Sequence, residues 1–278
     1  MADDLATVRT RIHGVQQLDT VVGAMRGIAA AHAQQSRLLL PGFRAYAEVI
    51  AGAIASAVRL RDEAPPARFA DARCARIVFG AEQGFVGGFA ERILDEALAR
   101  GSAELFLIGS RGLSLAAARA VAPAWQSAMA TQPDGVAPLC NRIAAALYQL
   151  ILARRIATVE VVFAAWEPGE GLRIRCQSLL PLDVTHFPTT VATMPPLTTL
   201  PPDLLLANLA EEYVLASLCE AAMHAFVAEN EARAATMVRA RGKIQDILAE
   251  LRLSEHRVRQ ESITAELVEL VGGSLAAA

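Results

Sequence analysis

A glycine-rich stretch, Gln83 to Gly88, is the part of this sequence whose residue types could cradle a phosphate. It follows a short apolar run, Cys74 to Gly80, as a phosphate loop follows a strand. Its spacing matches neither standard pattern, because the G-x-G-x-x-G order is absent and no Gly-Lys-Ser/Thr follows. We therefore predict a tight strand-to-helix turn at Gly84, Gly87 and Gly88, where glycine permits unusual backbone angles. A nucleotide site at this turn is the alternative.

Other side chains that could do chemistry are dispersed along the chain. The sequence has no H-E-x-x-H, G-x-S-x-G or C-x-x-C pattern, so we predict no catalytic residue, no metal site and no cofactor. The cysteines are expected to be reduced thiols, and the acidic runs to lie on the charged outer faces of a helix. The residues concerned are His13, His32, His186, His224, His256, Cys74, Cys140, Cys176, Cys219, Glu211, Glu212, Glu229 to Glu231 and Glu250 to Glu255.

The composition excludes several classes of partner. The 278 residues are 54% hydrophobic, which is enough for a substantial core. The net charge of -3 and an aromatic content of 5% give no electrostatic or stacking basis for binding nucleic acid. No uninterrupted apolar stretch reaches the roughly 18 to 20 residues that cross a bilayer, so we expect neither a membrane span nor a signal peptide.

The C-terminal quarter of the sequence predicts one very long helix. No proline occurs from Asp203 to Val271, a span that would extend on the order of 100 Å as a helix. Apolar residues recur there at seven-residue steps, which is the pattern of a coiled-coil seam. Asn230 is a polar exception of the kind that can fix helix register. The predicted seam is Leu209, Ala216, Met223, Asn230, Met237, Ile244, Leu251 and Val258.

An N-terminal helix is the candidate partner for this seam. Apolar residues between Leu5 and Ala33 follow three- and four-residue steps. A run of small residues would allow a second helix to approach closely: Gly23, Ala24, Gly27, Ala29, Ala30, Ala31 and Ala33. Pro41 predicts a kink or break, after which a helical pattern resumes.

The middle of the chain predicts a different architecture. Buried-strand patterns at 74–80 and 103–109 are each followed by a helical stretch, which indicates a parallel, Rossmann-like α/β unit. The segments 158–166 and 172–180 flank a turn and predict a hairpin. A proline-rich strap, 181–202, follows. The predicted fold class is therefore α/β with a long antiparallel coiled coil, over three spans: 1–60, 70–200 and 203–278.

Four segments of the sequence resemble the gamma subunit of rotary ATP synthases. The most specific resemblance lies at 228–237 (AENEARAATM) and 259–270 (RQESITAELVEL). The family's Ser-Glu-x-x-x-Arg-Met-x-x-Met and Arg-Gln-x-x-Ile-Thr-x-Glu patterns can be laid on these segments without a gap, and Glu229, Arg233 and Met237 match the first. The turn at 83–89 is similar to the family's Arg-Gly-Leu-Cys-Gly-Gly-Phe, and 108–112 (IGSRG) is similar to its Ile-Gly-x-Lys/Arg-Gly. The resemblance extends over essentially the whole chain.

This resemblance implies a central-stalk rotor and no catalytic role of its own. It implies contacts with the alpha and beta subunits of the nucleotide-binding ring, with the epsilon subunit and with the membrane c-ring, on the cytoplasmic side of the bacterial inner membrane. Residues that match the family's contact zone with the catalytic ring are Arg259, Gln260, Thr264 and Arg233. A free-standing coiled-coil adaptor and a nucleotide-binding α/β enzyme are the alternatives. Departures from the family pattern, such as Arg241-Gly242-Lys243 and Glu255-His256, suggest a second, specialised ion-translocating ATPase.

Overall fold

The computed structural model of this chain describes residues 2–60, 73–167, 169–183, 187 and 197–276. Its helices are α1 (Ala2–Val58), α2 (Phe89–Ala99), α3 (Ser110–Ala118), α4 (Val136–Leu152) and α5 (Pro202–Ala276). Its strands are β1 (Arg73–Phe79), β2 (Glu104–Ile108), β3 (Trp125–Ser127), β4 (Ile156–Glu167) and β5 (Gly171–Leu180). Much of the predicted proline-rich strap, and with it His186, lies outside the described residues.

The chain divides into two compact units, and each long helix contributes to both. One unit comprises Met1–Ala29 and Ala234–Ala278, and the other comprises Ala30–Arg233. The three spans predicted from the sequence divide the chain at the ends of the long helices instead. Those spans remain a prediction.

The larger unit contains a five-stranded sheet in the order β3-β2-β1-β4-β5. Strands β1 to β4 run parallel, and β5 pairs antiparallel with β4 through the register Glu167↔Gly171 to Val159↔Leu180. The predicted parallel α/β unit and the predicted hairpin are therefore both present. Strand β3 was not predicted, because its three residues carry no run of alternating apolar side chains.

Both faces of the sheet are buried at its central strands, β2, β1 and β4, as a parallel sheet requires. Ile77 and Phe79 of β1 point to the face covered by α4 and by α5, where Ile143 and Leu218 are fully buried. Val78 points to the opposite face, which is covered by α2. The alternation of β1 side chains between two apolar layers explains why the strand reads as a continuous hydrophobic run.

In the smaller unit, α1 packs against α5 through a compact apolar cluster. Val22 of α1 is buried with Met237, Ile244 and Leu248 of α5, and Ile12, Val15, Met25 and Ala240 pack around them. Arg9 Nε donates to Glu255 Oε1 at 2.8 Å, and Arg241 Nε donates to Asp19 Oδ1 at 3.2 Å. Because the α5 partner number falls as the α1 number rises, the two helices are antiparallel, as predicted.

The glycines of α1 do not mediate this packing. A Cβ atom added at Gly23 or Gly27 would meet nothing within 4 Å, whereas Ala29 is almost fully buried. The prediction that these glycines permit close approach of a second helix is therefore wrong. The larger side chains of Ile12, Val15, Val22 and Met25 make the contact in the smaller unit instead.

Helix α1 continues through Pro41 without a break, so the predicted interruption is absent. Proline removes one backbone donor, which leaves the carbonyl of Arg37 without its helical partner. Both Arg37 and Pro41 are exposed, so water can solvate that carbonyl. Buried residues on either side, Ala33 and Ala47 among them, hold the helix in place through packing.

Two helical segments are long and apolar enough to cross a membrane by length and composition alone, Asp4–Val58 and Pro133–Leu152. In the described residues the second segment includes α4, which buries Val136, Leu139 and Ile143 in the core beside the sheet. Core helices of water-soluble proteins pass the same test, so this finding is weak support for a span.

Candidate functional site

The glycine-rich turn connects the C-terminal end of β1 to the start of α2. Gly87 has a φ of 61°, in the left-handed region that favours glycine. Gly84 and Gly88 have no such angle, whereas Phe85 has a φ of 61° and is 65% exposed. The explanation by unusual backbone angles therefore holds for Gly87 alone among the three predicted glycines.

The carboxylate of Glu82 occupies the C-terminal edge of the sheet beside this turn. Its Oε2 accepts hydrogen bonds from the backbone N–H of Ser110 at 2.9 Å and of Met129 at 2.7 Å. Its Oε1 accepts the Ser110 hydroxyl at 2.7 Å. Ser110 is the first residue of α3, and Met129 follows β3. Glu82 therefore joins the ends of three strands through one side chain.

A second carboxylate, that of Glu229 on α5, binds the turn from the other side. It accepts the backbone N–H of Glu82 at 3.0 Å and the backbone N–H of Gln83 at 3.1 Å. Glu229 is only 4% exposed. The expectation that residues 229–231 form a charged outer face is therefore wrong for Glu229, because its carboxylate is buried and accepts hydrogen bonds inside the protein.

Arg233 completes this network, whose α5 members are buried. We call it the turn clamp: Glu82, Glu229, Asn230 and Arg233 with the turn backbone. Its guanidinium pairs with Glu229, donates to Asn230 Oδ1 at 3.0 Å and donates to the carbonyl of Gly84 at 3.3 Å. Arg233 is 7% exposed. Because its donors are engaged internally, this placement does not support the predicted contact of Arg233 with a ring subunit.

The turn clamp also argues against the alternative of a nucleotide site at this turn. A phosphate loop offers backbone N–H groups to an anion, but here the N–H groups of Glu82, Gln83, Ser110 and Met129 all point to carboxylates of the chain itself. A phosphate would also have to displace the Glu82 carboxylate from its three hydrogen bonds. The geometry therefore opposes nucleotide binding at this turn.

The other predicted contact residues, Arg259, Gln260 and Thr264, are exposed on α5 in the smaller unit. The Thr264 hydroxyl donates to the carbonyl of Gln260 at 2.9 Å, so the two residues share one helix face. Gln260 and Thr264 line a shallow groove of about 550 Å³ with Arg257, Glu261, Ala265 and Val268. This groove offers a cation, an anion, an amide and a hydroxyl side by side. Such a surface can make directional polar contacts.

The predicted seam residues fall into three environments. Met237 and Ile244 belong to the apolar cluster of the smaller unit, whereas Leu251 and Val258 are half-buried there. In the larger unit Met223 is fully buried and Leu209 packs in a satellite cluster with Phe187 and Ile54. Asn230 is buried, but its amide donates to the carbonyl of Phe226 at 2.9 Å within α5. It belongs to the turn clamp.

The remaining candidate groups for chemistry are dispersed over both units. His224 stacks on Phe163 with ring centroids 5.8 Å apart. Burial raises the pKa of the Cys74 thiol and raises that of Cys176 to about 11, so these thiols are poor nucleophiles. All four cysteines are free. Among the described residues, no group of three or more His, Cys, Asp or Glu side chains could hold a metal ion.

An antiparallel pair of long helices, together with a small mixed sheet, places this chain in the class of coiled-coil proteins with a Rossmann-like domain. A family model described as ATP synthase matches residues 4–277. The chain therefore belongs to the ATP synthase family, and the resemblance seen in the sequence is confirmed.

The relatives and solved structures agree with this membership. The chain is 26% identical to the ATP synthase gamma chain of Bifidobacterium animalis subsp. lactis over 308 residues, which cover 99% of this chain and 97% of that protein. It resembles a chain of the Euglena gracilis mitochondrial ATP synthase OSCP/F1/c-ring structure with a TM-score of 0.66 and 11% identity, covering 99% and 95% of the two chains. A chain of the rotor of the same synthase gives a TM-score of 0.60 at 10% identity, covering 95% and 100%. The structural likeness establishes the fold.

Proposed function

We propose that this chain is the gamma subunit of a rotary ATP synthase and turns as the rotor of its central stalk. The observation that carries the proposal is the joint occurrence of the antiparallel helix pair and the family match over residues 4–277. The alternative of a free-standing adaptor would explain the helix pair but would not explain the family match. Rotation of an asymmetric shaft would drive each catalytic subunit of the ring through its nucleotide states in turn.

Directional polar contacts between rotor and ring are assigned to Arg259, Gln260 and Thr264. The exposure of all three residues and the common helix face of Gln260 and Thr264 support this assignment. A charge-assisted hydrogen bond contributes roughly 1.5 to 3 kcal/mol, which is enough to favour one orientation and little enough to break in the next. Arg233 is omitted from this set, because its guanidinium is committed to the turn clamp.

The chain's role is non-catalytic, and its partners are the alpha and beta ring subunits, the epsilon subunit and the membrane c-ring. The turn clamp, which fills the strand ends with carboxylates, supports the absence of a nucleotide site of its own. The complex would be peripheral, on the cytoplasmic side of a bacterial inner membrane. The departures at 241–243 and 255–256 favour a specialised ATPase with divergent ring subunits.

Co-expression with the ring subunits encoded beside this chain tests the proposal. We expect a purified complex whose ATPase activity depends on this chain, and an isolated chain that binds no ATP. Failure to co-purify with those subunits would contradict the rotor assignment. ATP binding by the isolated chain would favour the enzyme alternative, and active assembly with ordinary, non-cognate ring subunits would contradict the specialised-ATPase assignment.

A further inference from the structure

We propose that Glu82 is an internal ligand: its carboxylate fills an anion-binding crevice at the C-terminal edge of the sheet and keeps that crevice closed to phosphates. Parallel α/β sheets bind ligands beyond the carboxyl ends of their strands, and N-termini of helices there bind anions. In this chain the carboxylate of Glu82 lies at that edge, at the N-terminus of α3.

The donors around Glu82 come from separate segments and converge on one carboxylate. The Ser110 N–H and hydroxyl belong to the start of α3, and the Met129 N–H belongs to the segment after β3. Two of these three bonds are no longer than 2.7 Å, which is short enough for charge-assisted hydrogen bonds. Three convergent donors on one anion are what a phosphate-binding crevice would offer to a ligand.

The backbone around the crevice is closely packed in a way that only glycine permits. Gly109 has a φ of +108°, and a Cβ atom there would lie 2.6 Å from the carbonyl oxygen of Ala81. That carbonyl in turn accepts the N–H of Arg111 at 3.0 Å. The ends of β1 and β2 are thereby brought together, so the carboxylate at position 82 can reach the start of α3.

Glu229 closes the remaining approach to this crevice. It takes the backbone N–H groups of Glu82 and Gln83, which are the next donors along the same loop. The crevice thus holds one carboxylate from its own loop and faces another from α5. An added phosphate would have to displace the Glu82 carboxylate, because Glu229 already holds the next two N–H groups of the turn. The crevice is therefore filled by the chain and does not recruit a ligand.

Chemical rescue of Glu82→Ala in the full-length chain tests this inference. Hydrogen exchange followed by mass spectrometry would report the amides of Ser110 and Met129. Loss of the carboxylate leaves these donors unbonded, so we expect their exchange to accelerate about five- to a hundredfold. Acetate, which replaces the missing carboxylate, should restore protection as its concentration rises. Inorganic phosphate should also restore it, but less completely, because its tetrahedral group is larger than the carboxylate that these donors hold. Neither anion should change exchange in the wild type.

Two further variants, a conservative one at Glu82 and a control at Glu96, complete the experiment. Glu82→Gln differs little in size and retains one acceptor oxygen, so it should fold and show a smaller acceleration. Glu96→Ala, which removes an exposed carboxylate on α2, should leave these amides unchanged. Unaltered exchange in both Glu82 variants would overturn the inference. So would accelerated exchange in Glu82→Ala that neither acetate nor phosphate reverses, and so would phosphate protecting the wild type.

Discussion

Glu229 accepts a hydrogen bond from the backbone N–H of Gln83 at 3.1 Å, although 146 positions separate the two residues in the chain. The same carboxylate binds the N–H of Glu82 and pairs with Arg233. One buried side chain of α5 therefore anchors the loop that follows the first strand. The longest-range polar link in the turn clamp is the one from Arg233 to the carbonyl of Gly84, which are 149 positions apart.

We expect Glu229→Ala to lower the free energy of unfolding by about 3 to 5 kcal/mol, because it leaves the Arg233 guanidinium buried without its partner. The matched control is Glu231→Ala. Glu231 pairs with Arg37, whose side chain is 45% exposed, so its loss should cost less than about 1 kcal/mol. Urea denaturation of the full chain measures both values. Equal losses in the two variants would show that the turn clamp adds no stability.

The apolar cluster of the smaller unit predicts different losses of stability for two isoleucines of α5. Ile244 is 5% exposed and packs with Val22, whereas Ile247 is 37% exposed. We expect Ile244→Ala to cost about 2 to 4 kcal/mol and Ile247→Ala less than about 1 kcal/mol, since only the first leaves a cavity. Helical circular dichroism during thermal unfolding would measure the difference. Similar midpoints would argue against a seam at Ile244.

The assigned contact face predicts an effect on turnover without an effect on assembly. Replacing Arg259 and Gln260 together by alanine should lower ATPase turnover of the co-purified complex roughly three- to tenfold, because contacts of about 1.5 to 3 kcal/mol act in only part of the cycle. Arg252→Ala, also on an exposed face of α5, should leave turnover unchanged. Unchanged turnover in an assembled double variant would remove these residues from the contact set.

Glu220 makes stability depend on pH. Its carboxylate lies 3.8 Å from Nε2 of His224 and accepts Arg44 Nε at 3.4 Å, and these neighbours, His224 first, hold its pKa below the usual 4.5. A carboxyl whose pKa is lower in the folded state stabilises the fold above the unfolded pKa, and that stabilisation is lost as the pH falls through the folded value.

Glu220→Gln should therefore be less stable than the wild type at pH 6, and the gap should shrink progressively below pH 4.5. Guanidinium denaturation across this range measures the gap. Glu48→Gln, on the exposed face of α1, controls for the general effect of removing a negative charge. A gap that stays constant down to pH 3 would contradict the assigned role.

The regular elements of this fold follow from simple sequence patterns. The seven-residue repeat predicted α5, and apolar runs ending in glycine predicted β1 and β2 to within one residue at each end. These predictions succeed because burial along one face repeats with the period of the helix, and burial on both faces gives a continuous apolar strand. Strand β3 is too short to carry either signal.

The turn clamp could not be predicted in the same way, because charged residues usually lie on surfaces. Glu229 was grouped with a solvated acidic run, although it is buried. One signal was available: Arg233 stands three residues after Asn230, as Phe226 follows Met223 and Ile247 follows Ile244 in the repeat. A second seam position filled by arginine indicates a buried charge that needs a carboxylate one helical turn away.

Two ion pairs in the described part of the smaller unit have opposite polarity. In one, α1 contributes the cation, Arg9, to Glu255, and in the other it contributes the anion, Asp19, to Arg241. If α5 slid by one heptad, the apolar side chains would find similar neighbours, but both charged groups of α1 would lose their partners. Each of these partly exposed pairs is weak on its own. Together they favour a single alignment of two helices whose apolar residues repeat.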